Sequence, residues 1–249
     1  NAVPAVFALK LSASAPDLLE LAALPDLNLL KNAKFIPSNI GGQAEAEIAI
    51  SMPLIKDLPR DQVQTAAKIK VTDTSIKQVI PNVDLSEGSL LVAFDRSGIT
   101  ASGPVKINGF PSRISWERPG GPDSRATASI DTQLDDKARE KLGIKLGEYL
   151  QGPVKVQAVI NGVGEKNASI KVKADLAKAE MFINAISWRR PPTANTTASF
   201  TYLAGDEAGR KVENLVVKGQ SLSLKGNVFL TADGGLKSAK FSQVWLSDE

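Results

Sequence analysis

The chain has 249 residues, room for one long β domain or two smaller ones, and its 43% apolar and 23% charged residues are ordinary for a folded protein. Its 30 Lys and Arg against 27 Asp and Glu leave a net charge of only +3, which gives no case for a nucleic-acid partner. With no Cys and no His, disulfides, thiol nucleophiles, Ser–His pairs and the commonest metal ligand are all excluded.

Aromatic residues make up 5%, so the apolar content is mostly Ala, Val, Ile and Leu. Such a chain walls a core or trough with aliphatic side chains and lacks the stacking platforms that bases or sugars need. No run approaches the ~18 consecutive apolar residues of a membrane-spanning helix. The chain opens on NAVPAVFALK, with neither Met nor a signal-peptide pattern, and is expected to be a segment of something larger.

In chain order, SAPDLLELAAL (14–24) predicts a helix: a Ser cap, an early Pro and Asp, then Leu18, Leu19, Ala22 and Ala23 at helical spacing. QAEAEIAISM (43–52) alternates, with Ala44, Ala46, Ile48, Ile50 and Met52 on one face and Glu45 and Glu47 on the other. A single turn is expected at LPRDQV (58–63). AKIKVT (67–72) sets Ile69 and Val71 against Lys68 and Lys70, and residues 89–109 read as strand, Asp-Arg-Ser-Gly turn, strand. DDKAREKLG (135–143) predicts a short helix that starts at Asp and stops at Gly143. Residues 154–176 form a hairpin: Val154, Val156, Ala158 and Ile160 on one arm, Ala168, Ile170, Val172 and Ala174 on the other. Residues 221–246 close the chain in the same style. The fold class expected is mainly β, with repeated antiparallel units in a long, curved, groove-like sheet and two or three short helices.

Two internal echoes suggest repetition. ISWERPGGPDSRATASID (114–131) matches ISWRRPPTANTTASFTY (186–202), which predicts a strand, corner and strand built twice, with Trp116 and Trp188 as equivalent anchors at the sheet edge. ITASGPVKI (99–107) matches LSLKGNVFL (222–230), with Gly103 and Gly226 placed mid-strand where a bulge or bend fits. The chain reads as one continuous segment, 1–249, with repeat units at 40–134 and 150–247 joined by the helix at 135–143.

Candidate catalytic groups read better as structure. Asp135 and Asp136 stand where a helix start wants a cap and a dipole partner. Glu45 and Glu47 share an exposed strand face, and NGVG (161–164) joins two strands with no helix to receive a phosphate. Lys68, Lys70, Lys171 and Lys173 could meet phosphates or lipid headgroups, but alternating strand lysines more commonly keep a sheet soluble. The WERP and WRRP motifs read as packing anchors. No enzyme, metal or cofactor is expected.

The order of NIGGQAEAEIAISMPLIKDLPRDQV (39–63), LLVAFDRSGITASGPVKINGFPSRISWERP (90–119), TASIDTQLDDKAREKLGIKLGEYLQGPVKVQAVI (127–160) and LAKAEMFINAISWRRPP (176–192) resembles the AsmA-like superfamily. Within it, the chain looks most similar to the large YhdP-like proteins of Gram-negative bacteria. The resemblance implies a bridge-like lipid-transport segment in the periplasm, with an inner-membrane anchor outside this sequence. It implies phospholipid acyl chains as cargo, moving between inner and outer membranes, with membrane surfaces or envelope proteins as further partners and no nucleic acid.

The residue pattern is compatible with that reading. A sheet with one aliphatic face that curls without closing leaves a trough, and acyl chains can replace its missing second layer. At about 0.8 kcal/mol per buried methylene, a 16-carbon chain gains roughly 13 kcal/mol before ordering costs. The residues expected to line the groove are Ile48, Ile50, Ile69, Val71, Leu91, Ile107, Val154, Val156, Ile170 and Val172. Two other readings use the same alternation: a structural β-sandwich or interaction module without ligand, and a glycosidase-like enzyme using two carboxylates. The second needs an aromatic-lined cleft, which the composition disfavours.

Overall fold

The computed structural model describes residues 4–23, 39–56, 58–59, 62–80, 82–121, 123–165, 167–193, 195–203, 210–231 and 234–247. It is mainly β, 67% strand and 9% helical, as the period-two alternation requires. The chain divides into two compact units, Asn1–Gly109 with Arg113–Ala126, and Phe110–Ser112 with Thr127–Glu249.

Unit 1 is an antiparallel meander. Its strands are β1 (Pro4–Ser14), β2 (Ile40–Pro53), β3 (Gln64–Ile80), β4 (Val83–Asp95), β5 (Gly98–Ile107) and β6 (Phe110–Pro119, whose first three residues count with unit 2), hydrogen-bonded in that order. Helix α1 (Ala15–Ala23) follows β1 and packs against β2. Ser14 starts it as expected: its Oγ accepts from the Asp17 N–H at 3.3 Å and donates to the Asp17 carboxylate at 2.6 Å. The Asp-Arg-Ser-Gly turn joins β4 to β5. Ser97 donates to Asp95 Oδ1 through its N–H at 2.7 Å and its hydroxyl at 2.5 Å. Gly98 is required there, because a Cβ would meet the Arg118 carbonyl oxygen at 2.2 Å. The turn expected at 58–63 lies partly outside the described residues, and the tail of the first helix prediction, Leu24, lies wholly outside them.

Unit 2 contains a second meander, β7 (Thr127–Leu134), β9 (Val154–Asn161), β10 (Ser169–Asp175), β13 (Thr197–Leu203), β14 (Arg210–Gly219), β15 (Leu222–Leu230) and β16 (Leu236–Leu246), paired in that order. A separate small sheet has the order β12 (Trp188–Arg190), β11 (Glu180–Ile183), β8 (Leu150–Gln151). The predicted hairpin is β9–β10, with Ile160 opposite Ile170 and Val156 opposite Ala174. Helix α2 (Asp136–Lys141) forms where expected, and Asp135 caps it by accepting from the Ala138 N–H at 2.8 Å. Gly143 ends it at φ 74°, a left-handed backbone that glycine adopts without strain.

The small sheet supplies the core of unit 2. Trp188 (7% exposed) and Ala179 pack against Val154, Ala174, Ala198, Val217 and Leu222, which lie on β9, β10, β13, β14 and β15. This corrects the expectation for the second Ile-Ser-Trp motif. Ile186 stands in a 3-10 turn, Ser187 is left-handed at φ 53°, and only Trp188 begins a strand, one that pairs with β11. In the first copy all three residues lie within β6. The two tryptophans are therefore not equivalent edge anchors, and Trp188 is a core residue. The echoes agree only past the corner, where Ala128 and Ala198 each enter a meander strand.

Candidate functional site

Each unit has one apolar face, and the strand registers assemble it residue by residue. In unit 1, Leu11 pairs with Ala46, Ala46 with Ile69, Ile69 with Val92 and Val92 with Ala101, making one cross-strand row. The next row holds Leu9, Ile48, Ala67, Phe94 and Ile99. Toward α1 the face is covered: Ala44, Ala46, Val71 and Leu90 are all buried. Away from α1, Ile48, Ile50, Phe94 and Ile99 are only partly buried, and Phe7 and Leu9 on the edge strand are 47% and 46% exposed.

Bulges keep this face consistent. Asp73 at φ 51° and Glu87 at φ 48° each insert one residue into β3 and β4, so Val71 is followed inward by Thr74, and Leu85 is followed inward by Gly88. Without them every later side chain would change face. Gly103 lies beside the β4 irregularity, where a Cβ would meet the Ser89 carbonyl oxygen at 2.0 Å. Gly226 lies at the β15–β16 register shift, where a Cβ would meet the Lys240 oxygen at 2.3 Å. Both mid-strand glycines thus sit at bulges.

Of the six residues proposed to line this part of the groove, Ile48, Ile50, Ile69, Val71 and Ile107 share the apolar face. Ile107 reaches it through its partner Leu85, and it and Val71 are buried. Leu91 does not belong there. It pairs with Lys70 and Ser102 and is 65% exposed on the opposite face. The inward residue is its neighbour Leu90, opposite Val71. Adjacent leucines offered both phases, and the β4 bulge decided between them.

In unit 2, Val154 is buried at 3% exposure and Val156 packs against the Trp188 core, so both are under the small sheet. Val172 pairs with Ala158 and Phe200, and Ile170 with Ile160 and Tyr202, in rows beyond that cover. All six are partly buried. The face continues through Val212 and Val228 to β16, where Phe241 and Val244 are 44% and 55% exposed. The aromatic members, Phe94, Phe200 and Tyr202, were not singled out from sequence, although each continues an alternation already visible there.

Unit 1 carries a hollow of about 670 Å³ lined by ten residues of its polar face, Lys10, Ser12, Glu45, Glu47, Lys68, Lys70, Leu91, Ala93, Thr100 and Ser102, and by Leu11, Ala46, Ile69 and Val92 of the apolar row between them. A twisted sheet is a saddle, so each face is concave along one diagonal. The charges alternate across strands. Lys10 bonds Glu47 at 2.8 Å, Glu47 stands opposite Lys68, and Glu45 stands opposite Lys70. The Lys10 ammonium holds the Glu47 carboxyl below its usual range, and Glu47 raises Lys10 in return. Neighbouring opposite charges largely neutralise each other, which leaves no concentrated field for a charged ligand.

Two arginines of unit 2 are buried within hydrogen-bonded scaffold contacts. Arg139, 4% exposed, donates to the carbonyls of Leu134, Gly152 and Leu150 at 3.1, 2.8 and 3.2 Å and pairs with Asp136. Asp136 also accepts from the Gly152 N–H at 3.0 Å. The adjacent aspartates therefore divide two scaffold tasks, Asp135 capping the helix and Asp136 fixing it to the chain before β9. Arg190, 3% exposed, donates to Thr196 Oγ1 at 2.5 Å, and a Cβ on Gly219 would intrude on its guanidinium at 2.9 Å. Among the described residues no helix is long and apolar enough to cross a membrane. Compared with known proteins, the chain matches no family model, no curated protein and no solved structure.

Proposed function

We propose that the chain is a non-catalytic lipid-binding segment whose uncovered apolar sheet faces take phospholipid acyl chains. The observation that carries this reading is the contrast within unit 2. Val154, Ala174 and Val217 are buried beneath the small sheet, whereas Ile160, Ile170, Val172, Phe200 and Tyr202 continue the same face only partly buried and outside that core cluster. A chain of methylenes laid on those rows gains about 0.8 kcal/mol for each one it buries, and aliphatic walls impose no fixed register on it. The order of sequence motifs resembling AsmA-like proteins supports phospholipid as cargo and a periplasmic setting between two membranes.

A dry structural module is the competing reading, and the Trp188 sheet favours it locally, since it completes a two-layer core at one end. Binding of cis-parinaric acid, whose fluorescence rises in apolar surroundings, separates the two. Val172→Asp puts a charge among the partly buried rows of unit 2, while Leu91→Asp puts one on the polar face of unit 1. Loss of binding in the first with retention in the second supports the groove. Equal binding in wild type and both folded variants contradicts it.

A further inference from the structure

Strand β1 of unit 1 and strand β16 of unit 2 are edge strands. Among the described residues each pairs on one side only, β1 with β2 and β16 with β15. An edge strand presents a row of unmatched N–H and C=O groups that a further strand can satisfy. The two edges differ in how they guard against that. β16 carries Lys237 and Lys240 and shifts register twice against β15, and lysines and bulges both discourage further pairing. β1 runs eleven residues, Pro4–Ser14, in unbroken register with β2. Its one charged residue, Lys10, is engaged by Glu47 at 2.8 Å, and its one proline is the first residue, where it interrupts nothing that follows. Along this unguarded edge Val6, Phe7 and Leu9 stand 67%, 47% and 46% exposed.

The sequence of β1 also matches itself when run antiparallel. The register that pairs all eleven residues of two copies places Leu9 opposite Leu9, Phe7 opposite Leu11 and Ala5 opposite Ala13. These residues belong to the apolar face, since Leu9 pairs with Ile48 and Leu11 with Ala46. On the other face Val6 meets Ser12 and Lys10 meets Ala8, so no like charges stand directly opposite. The two Lys10 side chains fall on a diagonal, each already bonded to its own Glu47. The row Ile99, Phe94, Ala67, Ile48, Leu9 then continues across the two-fold axis into the same row of the second copy.

Contact size sets the strength. Eleven residues at ~3.4 Å each, along a sheet edge about 10 Å thick, give roughly 750 Å² over both copies and about ten backbone hydrogen bonds. That is smaller than a standard interface and corresponds to a reversible dimer in the micromolar range.

We infer that β1 is a homotypic docking edge, on which a second copy of this chain adds its own β1 antiparallel about Leu9. Backbone pairing makes the contact, so it does not rest on acyl-chain binding. For the apolar face of unit 1 the consequence is continuity: Phe7 and Leu9 move from its rim to the middle of a face shared by two copies.

The chain contains no Cys, so a single introduced thiol reports on its own copy. Leu9→Cys places two thiols opposite each other on the axis, at a Cα separation of about 4.5–5.5 Å that a disulfide spans. Val6→Cys, on the same edge and more exposed, lies roughly 20 Å from its copy in this register. With copper-phenanthroline as oxidant, Leu9→Cys is expected to form the cross-linked dimer about tenfold faster than Val6→Cys. Phe241→Cys, at the centre of β16, puts the other edge to the same trial. Sedimentation equilibrium of the wild type from about 1 to 300 µM is expected to show monomer–dimer exchange, weakened about tenfold in Leu9→Lys, where two ammonium groups face each other. Equal cross-linking of Leu9→Cys and Val6→Cys overturns the proposal, as does faster cross-linking of Phe241→Cys, which moves the pairing to β16. A wild type that stays monomeric throughout overturns it as well.

Discussion

Arg139 donates to the carbonyl oxygen of Gly152 at 2.8 Å, and Gly152 sends its own N–H to the Asp136 carboxylate at 3.0 Å. This reciprocal clasp fastens α2 to the residues leading into β9. Arg139→Leu removes the guanidinium from the carbonyls of Leu134, Leu150 and Gly152 and leaves the Asp136 carboxylate with only the Gly152 N–H as its protein donor in this clasp. The expected loss is about 3 kcal/mol in denaturant unfolding, because stranding buried polar groups costs more than the bond itself gains. Asp135→Ala removes only a helix cap and is expected to lose about 1 kcal/mol.

The two Ile-Ser-Trp motifs give a second comparison. Trp188 is buried under the sheet of unit 2, whereas Trp116 is only partly buried in β6. Trp188→Ala is expected to cost about 3–5 kcal/mol, and Trp116→Ala nearer the ~1 kcal/mol of an average substitution. Equal costs would mean that the two motifs are packed alike after all.

The Lys10–Glu47 pair makes a prediction about pH. Glu47 has a folded-state pKa below its unfolded value, held there by its hydrogen bond to Lys10 and then by the ammonium charge. Its contribution to stability is present above the ordinary glutamate range and lost as pH falls through the depressed value. NMR titration should place Glu47 below an unpaired glutamate, and Lys10→Met should move it back up. Because both groups are exposed, added salt should shrink the shift.

The glycines at the bulges can be tested without any ligand. Gly226→Ala puts a methyl 2.3 Å from the Lys240 carbonyl oxygen, so β15 and β16 must part locally. Faster amide exchange is expected along that hairpin, with α2 unaffected.

The strands expected at 43–52, 67–72, 89–109, 154–176 and 221–246 and both α-helices were legible because alternation and capping are local properties. Glu45 and Glu47 facing away from Ala44 and Ala46 needs no tertiary information, nor does Asp135 before Ala138. What was not legible depends on partners distant in sequence. Leu90 and Leu91 are equally apolar, and only the Glu87 bulge and the pairing with Val71 decide which points inward. The short strands β8, β11 and β12 have too few residues to show a period, so the small sheet that buries Trp188 escaped notice. Nothing local marks Arg139 for burial on a short helix, and its burial follows from where the chain returns at Gly152. For the groove candidates, the apolar face was readable, but which rows a second layer covers was not.

The most direct measurement is native mass spectrometry of the chain purified gently from bacteria, followed by extraction and identification of whatever is bound. Phospholipid at a defined stoichiometry, lost in Val172→Asp and kept in Leu91→Asp, is the result expected of an open acyl-chain face. A folded wild-type protein that stays lipid-free after incubation with phospholipid vesicles would contradict it.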